Sequence, residues 1–340
     1  MKKRMKTRHI IIGFFLVEIL IFVCNCKSPP SIPETTDMIA FSVWSVTGEI
    51  LDSDICIIKS DGSNKLQLTW SREHWETSPC WLTDNKLAYV SSTQEKTYGE
   101  GRIDLIDLKE GKRKTAYKAP GPASAIEFDE ITTFFKDNKK ILVNTGDWIF
   151  YTVDIVTRDT AEVTCALSHG VWRFQHPRVS PDGNSIVFTG VDKVKKEFLP
   201  RYPTGFIQLS DSLNDIYIYD IEDGGVSQIT NTNSCDYGPA WFPDGEHIVF
   251  SSNREGNFEL YTMRKDGSNL ERLTYTEDRD EVDPVCAPDG KRIAFVVKGK
   301  GMSARMNTRT TIWVMNIDGT GLKRLTEGSE PAWSPKSAHD

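Results

Sequence analysis

The sequence predicts an all-β protein, a six-bladed β-propeller closed by pairing of an N-terminal strand with a C-terminal strand. Three observations carry that expectation. A sequence unit recurs with a period of roughly 45–50 residues, the spacing of propeller blades rather than of helical repeats. Each unit divides into four short segments separated by Gly-containing turns. The two ends of the repeat region complement one another.

The repeat is clearest in the last two-thirds of the chain. Residues 238–253 read GPAWFPDGEHIVFSSN, residues 282–298 read VDPVCAPDGKRIAFVVK and residues 174–191 read FQHPRVSPDGNSIVFTGV. A second unit follows each time: DIYIYDIEDGGVSQIT from Asp215, FELYTMRKDGSNLERLT from Phe258 and TIWVMNIDGTGLKRLT from Thr311. Weaker copies occupy the first third. Taking the position of Trp241 as the phase, the series is Trp81, Phe134, Val179, Trp241, Cys286 and Trp333, at gaps of 53, 45, 62, 45 and 47 residues.

Within a unit, apolar and polar residues alternate, with β-branched and aromatic residues prominent, which marks half-buried strands. Pro-Asp-Gly and Asp-Gly-Ser break them into tight turns, because Gly supplies a positive φ without steric cost. In the fifth unit the expected strands are Pro239–Phe242, His247–Ser252, Phe258–Arg264 and Asn269–Thr274. Ile39, Leu87, Ile141, Ile186, Ile248 and Ile293 each open one apolar second strand, an independent count of six. The third unit is the faintest, since its segments Trp148–Val153 and Thr160–Thr164 lack the Asp-Gly turn. The repeat begins at Met38 with a second strand that has no first strand, and ends at Glu330-Pro-Ala-Trp with a first strand that has no second. Joining them completes a blade and removes the open edge.

The first 25 residues read as a targeting segment. Lys2, Lys3, Arg4, Lys6 and Arg8 precede an apolar stretch, Ile10–Val23, interrupted by Gly13 and Glu18. That stretch is shorter than the roughly 20 residues of a spanning helix. It ends in Cys24-Asn25-Cys26, which resembles a bacterial lipobox with Cys26 as the lipidated residue. Residues 26–37, rich in Pro, Ser and Thr, then form a flexible tether, and residues 38–340 form the propeller. An exported, lipid-anchored protein of the periplasm or cell surface is the implied localisation. Removal of residues 1–25 takes away five positive charges and one negative, so the net charge moves from −7 to −11. That balance argues against nucleic acid or anionic lipid as a partner. Cys56, Cys80, Cys165, Cys235 and Cys286 are odd in number and widely spaced, so neither a disulfide framework nor a zinc site follows. Buried apolar roles are expected for most, with one disulfide left open.

This repeat, Pro-x-Trp-x-Pro-Asp-Gly followed by an Asp-Gly strand pair ending in Leu-Thr, resembles that of the TolB-type propeller family over about residues 38–335. The resemblance implies a protein-binding scaffold in the cell envelope, monomeric and without a resident cofactor. Its partner would be an envelope protein or a cell-wall component, with the membrane reached only through the lipid. Family members carry an α/β domain ahead of the propeller, whereas here only the tether precedes it. Some propellers with this repeat resemble oligogalacturonate lyases, which hold a metal in the central channel. His74, Glu76 and His176 are the residues that would serve such an enzyme, and a channel cation such as calcium or a small sensed ligand are further alternatives. No nucleophile elbow, zincin helix or P-loop is present. Residues 60–64 lack the ligand series of a calcium loop.

Propeller topology places the first-to-second and third-to-fourth turns on one face, and the remaining connections on the other. The long segments 93–101, 191–214 and 298–309 share the second face. The middle one carries Arg201 and Tyr202. The fourth-to-first connections are expected to carry His74 and Glu76; Arg173 and His176; Asp236 and Tyr237; Asp280, Glu281 and Asp283; and Glu330. Loops on a rigid scaffold concentrate binding residues, so this face should be functional, with an acidic mouth and two basic flaps. For each acid taken singly, capping of a backbone turn is the competing role.

Overall fold

The computed structural model describes residues 36–47, 50–70, 74–93, 101–118, 128–133, 139–145, 150–163, 170–192, 213–300 and 310–335. All lie within the unit Ile32–Asp340. Every regular element described is a strand. The first group comprises β1 (Met38–Thr47), β2 (Ile50–Lys59) and β3 (Leu66–Gln67), and the second β4 (His74–Thr83), β5 (Lys86–Thr93), β6 (Arg102–Asp107) and β7 (Lys112–Lys118). Then come β8 (Phe128–Thr133), β9 (Lys140–Thr145), β10 (Phe150–Asp154) and β11 (Thr160–Val163); and β12 (Val171–Val179), β13 (Ser185–Asp192), β14 (Asp215–Asp220) and β15 (Val226–Gln228). The last groups are β16 (Asp236–Trp241), β17 (His247–Ser252), β18 (Glu259–Arg264) and β19 (Glu271–Arg272), and β20 (Arg279–Cys286), β21 (Arg292–Gly299), β22 (Thr311–Asn316) and β23 (Lys323–Glu327). The last of the described strands is β24 (Ser329–Trp333).

Four of these groups are separate four-stranded antiparallel sheets in chain order. The fifth sheet has eight strands and contains two groups, β24-β1-β2-β3 and β4 to β7, joined by the single parallel pair Ser53–Trp75. In it, β24 pairs antiparallel with β1 through Ile39–Trp333 and Ala40–Ala332, almost 300 residues apart in the chain. The first strands of the groups touch in the order β24, β4, β8, β12, β16, β20 and again β24.

The residues that open the second strands, Ile39, Leu87, Ile141, Ile186, Ile248 and Ile293, are all fully buried. Each sheet is covered on both faces, so these strands read as continuous apolar runs. Apolar layers lie between consecutive groups: Ile141 and Val143 pack on Val90 and Ile103, Ile248 and Phe250 on Val187 and Ile216, and Ile312 and Val314 on Ile39 and Phe41.

The turns follow from their residues. In Pro-Asp-Gly, Asp244 Oδ1 accepts from the N–H of Glu246 and of His247, and Gly245, at φ 68°, returns its own N–H to Phe242. In the third-to-fourth turns Asp61, Asp266 and Asp318 accept from the N–H two residues on. Bonds from Ser63, Ser268 and Thr320, side chain first and then backbone, hold those carboxyls below the usual range.

The fourth strand of the fifth unit is shorter than expected: β19 spans only Glu271–Arg272, not Asn269–Thr274. The reason is the Leu-Thr ending. Thr274 Oγ1 accepts from Leu260 N at 2.9 Å, as Thr69 does from Ile55 and Thr230 from Ile216, so a hydroxyl replaces the next ladder bond. The first strands are longer than expected. β16 begins at Asp236, because a bulge lets it run through Gly238-Pro239 with a register shift between Tyr237 and Ala240. The same bulge recurs three residues before five of the six phase markers, at Ser78, His176, Gly238, Asp283 and Glu330, and not before Phe134. Each has a positive φ of 50–60° and each is followed by Pro. The unpaired extra residue absorbs the missing proline N–H.

Candidate functional site

The bulge changes where the expected site residues sit. His74 and Glu76 lie on β4, Arg173 and His176 on β12, Asp236 and Tyr237 on β16, Asp280, Glu281 and Asp283 on β20, and Glu330 on β24. They are strand residues, not residues of the connections as the sequence suggested. Glu76, Asp236, Asp280 and Glu281 are buried, while Asp283 and Glu330 are half-buried. Arg201 and Tyr202, the flap 193–212, and Cys26 lie outside the described residues.

These acids are engaged by neighbouring strands and connections, within a sheet or between sheets. Asp236 is held by Arg254, whose Nη2 donates to both carboxylate oxygens at 3.1 and 3.2 Å, and by Thr232 Oγ1 at 3.3 Å. The same guanidinium lies over the rings of Tyr261 and Phe250, 4.8 and 5.6 Å from their centroids. Asp280 Oδ1 accepts from Phe258 N at 3.0 Å, reaching back to the preceding sheet. Glu330 Oε2 accepts from Ser42 Oγ at 2.7 Å and from the bulge N–H of Ser78 at 2.8 Å, tying β1, β4 and β24 together. The backbone N–H of Glu76 donates to Ser53 Oγ, and that hydroxyl donates back to Glu76 O. Burial pushes the Glu76 carboxyl up to about 7, helped by Asp54 and Asp104 and opposed by Thr69 and Arg113.

Successive bulges meet along the inner strands. The His176 ring packs edge-on against Tyr237 at 4.4 Å between centroids. A Cβ on Gly238 would stand 3.3 Å from Asp283 Oδ1. His74, Glu76 and His176 do not come together as a ligand set. Among the described residues no group of three or more His, Cys, Asp and Glu is placed to hold a metal ion.

Among the described residues, two exposed aromatics that sequence reasoning missed lie in connections between strand groups. Trp70 is 67% exposed and Tyr275 73%. Both directly follow a Leu-Thr strand ending, in the connection to the next first strand, and both lie beside an arginine. Arg272 stands 4.6 Å over Tyr275, and Arg113 6.0 Å from Trp70 while donating to Leu68 O. An aromatic at the residue after Leu-Thr was the available signal.

Residues 206–339 match the TolB beta propeller domain family. An uncharacterised protein of Agrobacterium fabrum is 23% identical over 274 residues, spanning 68% of this chain and 88% of that protein. The Tol-Pal system protein TolB of Anaeromyxobacter dehalogenans is 33% identical over 118 residues, spanning 35% of this chain and only 25% of the relative. Among solved structures, TolB from Acinetobacter baumannii superposes with a TM-score of 0.66 at 22% identity, covering 89% of this chain and 68% of the other. The chain is therefore an all-β protein of TolB-like propeller fold, with the TolB propeller domain itself matched over residues 206–339.

Proposed function

We propose that this chain is an exported lipoprotein, anchored through Cys26, whose six-bladed propeller closes by the β1–β24 pairing. In this reading it serves as a non-catalytic scaffold that binds an envelope protein or a cell-wall component. The closed ring is supported by the cyclic order of first-strand contacts and by apolar layers between consecutive groups. Likeness to proteins of the Tol-Pal system supports a protein partner.

The observation that carries the binding role is what the face leaves exposed. Asp236, Asp280 and Glu330 are engaged by neighbouring groups, and Trp70 and Tyr275 stand exposed beside Arg113 and Arg272. Tryptophan, tyrosine and arginine dominate the energetics of protein interfaces, and here they are mounted on a rigid strand framework.

The test is in-cell crosslinking and affinity purification of the tagged protein, comparing wild type with a Trp70→Ala, Tyr275→Ala variant. A specific envelope partner, reduced at least tenfold in the variant, is expected. Equal recovery from both would remove this face from the function. Mass spectrometry of the mature N-terminus checks acylation of Cys26 separately.

A further inference from the structure

Glu259 on β18 and Glu281 on β20 face one another across the junction between two sheets, 0% and 1% exposed. Thr276, in the connection between β19 and β20, touches both. Its N–H donates to Glu259 Oε1 at 2.6 Å, and its hydroxyl lies 3.3 Å from that oxygen and 3.1 Å from Glu281 Oε1. Further donors crowd the same two oxygens. Asn257 Nδ2 reaches Glu259 Oε1 at 2.9 Å and Arg272 Nη2 at 3.1 Å, and Arg279 Nε reaches Glu281 Oε1 at 3.3 Å. The second oxygen of each carboxyl, Oε2, is buried and has no hydrogen-bond partner.

A buried acceptor without a donor is costly, and two ionised carboxylates at one site repel. One proton between the acids relieves both problems. We propose that Glu259 and Glu281 share a single proton, and that this proton latches residues 273–278 onto the inner strand, making this part of the rim respond to pH.

The surrounding charges fit. Arg272 on β19 is shared with Glu255 and stacks on Tyr275, Arg279 on β20 lies over Trp313, and Lys298 on β21 lies over Phe258. Asp280 on β20, and Glu277 and Asp278 in the connection, add negative charge nearby, and Tyr261 shares β18 with Glu259. Burial first, then the bond to Glu259 and its charge, push the Glu281 carboxyl up to about 7. Burial also raises Glu259, but bonds from Thr274, Glu281, Asn257 and Thr276 outweigh it and leave that group below its ordinary range. The latched connection is the one that displays Tyr275. Its opening does not depend on whether that face binds a partner.

Hydrogen exchange of the full-length protein, followed by mass spectrometry at pH 6 and pH 8 and corrected for intrinsic rates, tests the latch. The peptide containing Thr276 should exchange at least tenfold faster at pH 8, while peptides from β17 stay unchanged. In Glu281→Gln the amide replaces the shared proton, so the peptide should remain protected at both values. In Glu281→Ala it should exchange fast at both. Equal wild-type protection at pH 6 and pH 8 overturns the proposal. So does opening in Glu281→Gln as large as in Glu281→Ala. If neither variant folds, the wild-type comparison alone decides.

Discussion

The indole N–H of Trp81 donates to the backbone oxygen of Ala332 at 3.0 Å, although 251 residues separate them. Trp241 does the same to Arg178 O at 3.1 Å and Trp333 to Val285 O at 3.0 Å. In each case the acceptor lies one residue before the phase marker of the preceding first strand. The repeated tryptophan is thus a tie between consecutive strand groups as well as core. Trp→Phe at any of the three removes the donor from a part-buried carbonyl, and should cost about 1 kcal/mol. Urea denaturation of the three variants checks this. A loss confined to Trp81 would mean that the ties are not equivalent.

Arg292 closes the start of the repeat region. Its guanidinium donates to both oxygens of Asp37 at 3.0 and 2.7 Å, to Ser60 Oγ and to Asp289, and it lies 5.1 Å over the Trp333 ring. The pair is partly exposed, so a modest effect is expected: about 1 kcal/mol for Arg292→Ala or Asp37→Ala. The double variant should be no less stable than the worse single one. Additive losses in a double-mutant cycle would show that the two residues act separately.

Turn glycines differ in what a methyl group would meet. At Gly319, φ 80°, a Cβ would fall 2.7 Å from Leu273 O, whereas at Gly224, φ 73°, nothing lies within 4 Å. Gly224→Ala pays only the left-handed strain of about 1–2 kcal/mol. Gly319→Ala adds a backbone collision and should cost clearly more. Thermal melts of the two variants give the order, and a reversed order would contradict the turn geometry.

Stability should fall as pH rises through neutrality. Glu76 and Glu281 are both raised to about 7 in the folded protein, against about 4.3 in an unfolded chain. Between those values the folded state binds more protons than the unfolded one. The stabilisation is therefore complete below about pH 4.3 and is lost as pH rises to about 7. Tm should be several degrees lower at pH 8 than the contribution of other groups alone would give, and Glu76→Gln should flatten part of that slope. An unchanged pH profile in Glu76→Gln would remove it as a contributor.

Much of the fold was legible because local chemistry repeats. Ile248-Val249-Phe250 announces a doubly covered strand, and Asp244-Gly245 announces its turn, wherever the rest of the chain lies. Even the faint third unit is correctly placed, with β10 and β11 at Phe150–Asp154 and Thr160–Val163. The site was less legible. Pro239 reads as the start of a strand, so Asp236 and Tyr237 fell to a connection, and Pro284 misplaced Glu281 in the same way. A left-handed residue before proline forms a bulge and the strand continues, which pairing reveals and residue type does not.

What the sequence alone determined is the period, the all-β class, the turns and the apolar strands, since each depends on residues a few positions apart. Tertiary structure alone decided that Glu259 and Glu281 meet at Thr276, that Glu330 reaches Ser42 and Ser78, and that Trp81 finds Ala332 O. Those contacts join residues that the chain keeps far apart or places on different sheets. A carboxylate looks the same in a sequence whether it faces water or a second acid. Only packing removes the water, and its removal makes a partner or a shared proton necessary.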